Sequence, residues 1–363
     1  MTVPTTLEND VKNLAVKSVI YGLGSILLKS INLLALPLYT FYLTPADYGI
    51  VSLATTLTAL LSLIYALSLF SAVARFYFLY DKKLDRDRVA GTLTISIIIS
   101  GLIMSILLDF FGKSFFYMIF PELAFSPYIR LAIWTAFFVL FSFVPLNLFQ
   151  AQEKPKIFVI WTSITLVLTV ALTILFVVFM RKGAYGYLLA PFIANALVAI
   201  PYLWSVRNDM TICFDLEIFR KALAFSLPLL PHNLASWVLG VSDRIILQFY
   251  VSLSALGIYS LGYTFGMIQM MVSAAITQAW IPFLFKRISE EGESAQKRLS
   301  KLVTYYVLTI CFIALGLSLF SKELILILTN KAFHEAYTIV PIVVFAYLWN
   351  HLSKKPKHSF SLF

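Results

Sequence analysis

The chain has 363 residues, 60% of them hydrophobic and only 13% charged, with a mean hydropathy of +0.87. Soluble domains carry about 25% charged residues, so this chain lacks the polar side chains to coat an apolar core in water. That excludes an ordinary soluble enzyme, a disordered protein and a disulfide-stapled secreted domain, and leaves an all-α, polytopic integral membrane protein.

In chain order, a polar start (Met1–Asp10) is followed by about ten apolar runs long enough to cross a bilayer as helices. They lie at roughly 14–40, 48–72, 89–111, 129–150, 157–180, 184–205, 221–242, 255–280, 302–320 and 336–352. Helix is the required form, because hydrocarbon offers no partner to an unpaired backbone group. No small-residue cleavage site follows a short apolar core, so the first run is expected to be an uncleaved span.

The net charge of +10 would suggest nucleic acid in a soluble protein. Here the basic residues sort by loop instead. With the N-terminus inside, 20 Lys and Arg fall on the inner side and 7 on the outer, with Lys29 left inside the first span. This asymmetry predicts that both termini are cytoplasmic. The basic loops carry no folded nucleic-acid module, so no nucleic-acid partner is expected.

An offset of 208 residues matches Phe41-Tyr42 to Phe249-Tyr250, Gly49-Ile50 to Gly257-Ile258, Ser52-Leu53 to Ser260-Leu261, and Ser18 to Ser226. Six spans separate the copies, so both have the same orientation, as in a parallel repeat about an axis along the membrane normal. Two pseudo-symmetric lobes follow: 1–208 with six helices, and 209–363 with about four. The tail His351–Phe363 does not begin another span. Either ten helices are natural, or about two are missing from a truncated or frameshifted frame, the reading that the six-span first copy favours.

Polar residues inside spans are the informative ones. Ser18, Gly22, Ser25, Lys29 and Asn32 share one face of span one; Ser226, Asn233, Ser236, Gly240 and Asp243 share one face of span seven. Facing each other, these stripes would line a wet central cleft. A Lys near a helix centre costs about 2.5–3.5 kcal/mol on insertion scales, so Lys29 is expected to face a cavity or a partner. It could instead snorkel, or pair with Asp109 or Asp243. Arg75, in Ala-Val-Ala-Arg-Phe, either lines the cytoplasmic mouth or anchors orientation. Pro228 and Pro231 should bend span seven, as a hinge or a static kink. Gly262-x-x-x-Gly266 allows close helix packing.

Cys213 and Cys311 lie far apart in apolar context and read as small hydrophobes, and the four His are scattered, so neither a metal nor a cofactor is expected. No phosphate-cradling glycine loop occurs.

The stretch Ser30–Phe78, above all Leu36-Pro37-Leu38-Tyr39, Leu43-Thr44-Pro45-Ala46-Asp47-Tyr48-Gly49 and Ala74-Arg75-Phe76, resembles the polysaccharide or O-antigen flippases of the multidrug/oligosaccharidyl-lipid/polysaccharide (MOP) exporter superfamily. The resemblance is clearest over about 14–90 and extends to about 221–290. It implies twelve or more helices in two six-helix lobes, in the bacterial cytoplasmic membrane. It also implies movement of an undecaprenyl-pyrophosphate-linked oligosaccharide between leaflets by alternating access. The residues agree in kind: hydroxyls and amides can replace water around a sugar, and Lys29 or Arg75 can pair with pyrophosphate. The partners implied are the lipid-linked oligosaccharide, membrane lipids and other polysaccharide-assembly membrane proteins. A drug or cation antiporter of the same superfamily would carry acidic residues in its spans, where only Asp109 and Asp243 come near. A membrane enzyme acting on lipid-linked glycans would need a larger outer loop than 112–128.

Overall fold

Long apolar runs in lipid close all their hydrogen bonds within the segment, and the described chain is accordingly helical from one run to the next. The computed structural model describes the backbone of residues 24, 31, 35–291 and 295–360, and the side chains of these residues outside 278–301 and 354–360. Helix α1 (Pro45–Tyr65) and α2 (Phe70–Leu79) share one 35-residue span, followed by α3 (Lys83–Phe111) and a short α4 (Lys113–Ile119). Then come α5 (Arg130–Ala151), α6 (Pro155–Thr173) and α7 (Gly183–Ser205). Helices α8 (Leu216–Ser226) and α9 (Leu229–Leu247) meet at 46°. The chain continues through α10 (Leu253–Glu291), α11 (Ala295–Leu319), α12 (Ser321–Leu328), a 3₁₀ segment (Lys331–Thr338) and α13 (Val340–Phe360).

Among the described residues, seven helices are long and apolar enough to cross a membrane, or nine when each bent pair counts as one span. Those nine coincide with the nine runs expected from 48–72 onward. The first expected span, 14–40, lies mostly outside the described residues, as do Ser18, Ser25, Lys29 and Asn32.

Contacts group residues Tyr42–Gly257 into one compact unit. Its centre is the pairing of α5 with α7, on which α1, α3 and α6 pack. Gly186, Ala190, Ala194 and Val198 recur every fourth residue on α7 and are all buried, since small side chains let membrane helices approach closely. The opposite faces are unsuited to water: Leu239 is 88% exposed and Ile200 75%, as fits side chains in contact with lipid.

The Leu-Thr-Pro-Ala-Asp-Tyr-Gly motif opens α1. Thr44 is the N-cap and Pro45 the first helical residue, where its missing N–H costs nothing. The Asp47 main-chain N–H donates to the Thr44 hydroxyl at 3.1 Å, and the Thr44 N–H donates back to the Asp47 carboxylate at 3.1 Å, a capping box. The other carboxylate oxygen accepts the Ala184 N–H at 3.3 Å, tying the start of α1 to the start of α7. At an offset of 208, Ser252 repeats the cap of Thr44: its hydroxyl accepts the Ala255 N–H at 3.3 Å. The sequence repeat is therefore also a repeat of local structure.

The connection between α7 and α8 lies as a strap across the N-terminal end of α3. The Thr211 N–H donates to the Asp87 carbonyl at 3.0 Å, and the Asp215 N–H donates to the Thr92 hydroxyl at 3.1 Å.

Described residues of 258–360, with 35–41, belong to the other unit. There Gly262-x-x-x-Gly266 does what its spacing suggests. A Cβ at Gly262 would lie 2.5 Å from the Ala336 carbonyl oxygen, and one at Gly266 would lie 2.5 Å from the Val343 Cβ. The Tyr347 hydroxyl donates to the Tyr263 hydroxyl at 3.0 Å, holding α13 on α10 above this contact.

Candidate functional site

Two spans of the Tyr42–Gly257 unit are broken, and a side-chain hydrogen bond joins their breaks. The first break, Ala66–Leu69, separates α1 from α2. Leu67 (φ 49°) and Ser68 (φ 57°) both sit in the left-handed region, at a cost of about 1–3 kcal/mol each for residues with a Cβ. Such a conformation persists only where the surroundings impose it. Ala66, Ser68 and Leu69 are fully buried, and the Ser100 hydroxyl on α3 donates to the Tyr65 carbonyl freed at the end of α1. Side-chain hydroxyls of this kind re-satisfy backbone opened within a membrane.

The second break is the 46° bend between α8 and α9. Pro228 caps α9, and neither it nor Pro231 has an N–H to give to the preceding turn. One turn into α9, the Asn233 side-chain amide donates to the Ser68 hydroxyl at 3.0 Å. Beside the bend, the Arg75 guanidinium of α2 lies 4.2 Å from the centre of the Phe225 ring of α8. Arg75 is exposed, and no carboxylate lies within ion-pair distance of it among the described residues. A guanidinium stacked on a ring keeps its N–H edge free to grip an anion through two hydrogen bonds. The Ser226 hydroxyl is buried at the bend with no hydrogen-bond partner among the described residues. The arrangement thus combines an amide, hydroxyls and one cation at two helix breaks, the architecture in which transporters place substrate sites.

Of the residues singled out from sequence, Arg75 contacts Phe225 on one side of the Pro228–Pro231 bend, and Asn233 on the other side bonds Ser68. The structure divides the expected stripe of span seven. Ser226 is buried on α8, whereas Ser236 is exposed on α9 and donates to its own helix, to the His232 carbonyl at 3.1 Å. Asp243 is half-buried ten residues beyond Asn233, about 15 Å along the helix. Asp109, weighed as a partner for Lys29, pairs with Arg130 at 2.6 Å. Sequence reasoning missed Ser68, Phe225 and Ser100. The one available signal was length, since 45–79 is longer than a straight span requires. Among the described residues no group of three His, Cys, Asp or Glu could hold a metal ion.

Comparison with known proteins places this geometry in context. The model of the family described as polysaccharide biosynthesis protein matches residues 14–288. Two Haemophilus influenzae proteins are similar in sequence. One, described as an uncharacterized membrane protein, is 25% identical over 279 residues, covering 75% of this chain and 65% of its own length. The other, protein 1 of the Lsg locus, is 23% identical over 280 residues, covering 76% of this chain and 66% of its own length. The chain thus spans just under two thirds of these relatives. Its fold is similar to that of a Vibrio cholerae MATE transporter in the bent form, with TM-score 0.53, 15% identity, and coverage of 95% of this chain and 85% of that one. It is also similar to a MOP superfamily transporter from Pyrococcus furiosus, with TM-score 0.57, 17% identity, and coverage of 96% and 83%. These structural likenesses show a shared helical fold. With the family model covering most of its length, this multi-pass membrane chain belongs to the polysaccharide biosynthesis protein family.

Proposed function

We propose that the protein is a flippase that carries an undecaprenyl-pyrophosphate-linked oligosaccharide from the inner to the outer leaflet of the bacterial cytoplasmic membrane by alternating access. Lobes 1–208 and 209–363 are the moving bodies, and the bend at Pro228 and Pro231 is a hinge between segments. The observation that carries this reading is the joining of two broken spans by Asn233 and Ser68, with the Arg75 guanidinium stacked beside it on Phe225. A pyrophosphate crossing hydrocarbon without partners would cost several kcal/mol per group. Arg75 offers it a charge-assisted clasp, while Asn233, Ser236 and the hydroxyls at the breaks replace water around the sugar. Asp243 marks the outer end of this lining. The lipid tail stays outside this polar lining. Membership of a polysaccharide biosynthesis family and a MOP-type fold support the same reading. The inner excess of basic residues supports cytoplasmic termini.

The test is surface glycan in a strain whose own flippase is replaced by this protein. Arg75→Ala should lower surface glycan tenfold or more, corresponding to loss of a charge-assisted bond of about 1.5–3 kcal/mol. Arg75→Lys should restore it only in part, since an ammonium cannot make the bidentate grip. Normal glycan in Arg75→Ala at normal expression, or ion-coupled drug efflux in its place, would overturn the proposal.

A further inference from the structure

We infer that the cavity between α1, α3, α4 and α9 is a binding site for the polyprenyl tail of the transported lipid. This inference rests on the flippase reading above. The cavity has a volume of about 310 Å³ and exposes no polar surface; the hydroxyl of Tyr65, the one polar side chain in its lining, is buried. Leu57, Leu61 and Tyr65 of α1 form one wall, with Met104 of α3, Phe120 just beyond α4, and Ile245 of α9 around it. A cavity of this chemistry stays dry, because a water inside would have no hydrogen-bond partner. At bilayer depth the remaining occupant is a hydrocarbon chain. Leu107 and Phe115, 50% and 52% exposed, stand at the open side, so a chain can enter sideways from the membrane without passing a polar barrier.

Position selects the polyprenyl tail over a bulk acyl chain. The wall runs from Leu57 to Tyr65, about 12 Å of helix, and ends at the Ala66–Leu69 break, where Ser68 meets Asn233. By the charge distribution, the break lies toward the cytoplasm from the cavity. A lipid whose pyrophosphate is held at Arg75 points its chain toward the bilayer centre and beyond, along α1 and into this space. Head and tail would then occupy two parts of one continuous track, the polar part at the breaks and the apolar part beyond them.

The experiment is photo-crosslinking of the full chain in vesicles. One set contains undecaprenyl phosphate with a diazirine in its chain, the other phosphatidylcholine with a diazirine in an acyl chain. Adduct sites are located by mass spectrometry. The polyprenyl probe should label peptides containing Leu61, Met104 or Phe120. Leu61→Trp and the milder Leu61→Phe, which fill the cavity, should abolish that label in protein that remains monodisperse. Val167→Trp, on a lipid-facing surface, should leave it unchanged. Equal labelling of these peptides by the phosphatidylcholine probe, or labelling that survives both Leu61 variants, would overturn the inference. If polyprenyl label misses the cavity while the protein still supports surface glycan, the tail site fails and the flippase reading stands. If the protein supports no surface glycan at all, the flippase reading itself fails.

Discussion

Gly49 and Gly257, 208 residues apart, each press the main chain of one helix start against that of the other. A Cβ at Gly49 would lie 2.1 Å from the Leu253 carbonyl oxygen, and one at Gly257 would lie 1.9 Å from the Pro45 carbonyl oxygen. Pro45 and Leu253 are themselves an equivalent pair at the same offset. The contact is therefore reciprocal, as two copies related by a local two-fold axis would make it. Only glycine can occupy either position, because the partner atom is backbone and cannot rotate away.

Gly49→Ala and Gly257→Ala should each be strongly destabilising, by about 1–3 kcal/mol or more, as overpacking forces two helix starts apart. Gly316→Ala, whose new Cβ meets nothing within 4 Å, should be neutral or slightly stabilising. Thermal unfolding of the purified protein in detergent checks the set. Equal melting temperatures for all three variants would contradict the crossing.

Asp47 holds two backbone N–H groups from different parts of the chain, those of Thr44 and Ala184. Asp47→Ala should cost about 0.5–2 kcal/mol from the cap, plus the loss of the Ala184 clasp. Asp47→Asn, which keeps one acceptor oxygen, should recover part of this. Native-state hydrogen exchange at Ala184 should rise in Asp47→Ala and leave the interior of α5 protected.

Asn233→Leu leaves the fully buried Ser68 hydroxyl without its donor and should cost about 1–3 kcal/mol. Ser68→Ala removes the other partner. If the two act through one hydrogen bond, the double variant will be less destabilised than the sum of the singles. A double-mutant cycle from denaturation midpoints measures this, and strict additivity would show that the breaks are not coupled through that bond.

The Asp109–Arg130 pair is short, at 2.6 Å, but Arg130 is half exposed. Asp109→Asn should therefore cost less than about 1 kcal/mol, with the difference shrinking at high salt. It should also leave the ion dependence of surface glycan unchanged, because Asp109 is engaged in a structural pair. A loss of ion dependence in Asp109→Asn would instead favour an antiporter.

The sequence by itself determined the nine spans from 48–72 onward and the repeat at Gly49 and Gly257. The spans follow from the solvent: hydrocarbon forces each apolar run to close its own hydrogen bonds. The Gly262-x-x-x-Gly266 contact and the bend at Pro228 were legible for the same reason, since a missing side chain or a missing N–H acts locally. The break at Ala66–Leu69 was not, because Tyr65-Ala-Leu-Ser-Leu-Phe70 contains neither glycine nor proline. Leu67 and Ser68 adopt left-handed backbone only because Ser100 and Asn233, distant in sequence, hold what the break exposes. The same holds for the clasp of Asp47 on Ala184. Where the local chain would prefer unbroken helix, only packing partners from elsewhere can decide otherwise, and the tertiary structure alone supplies them.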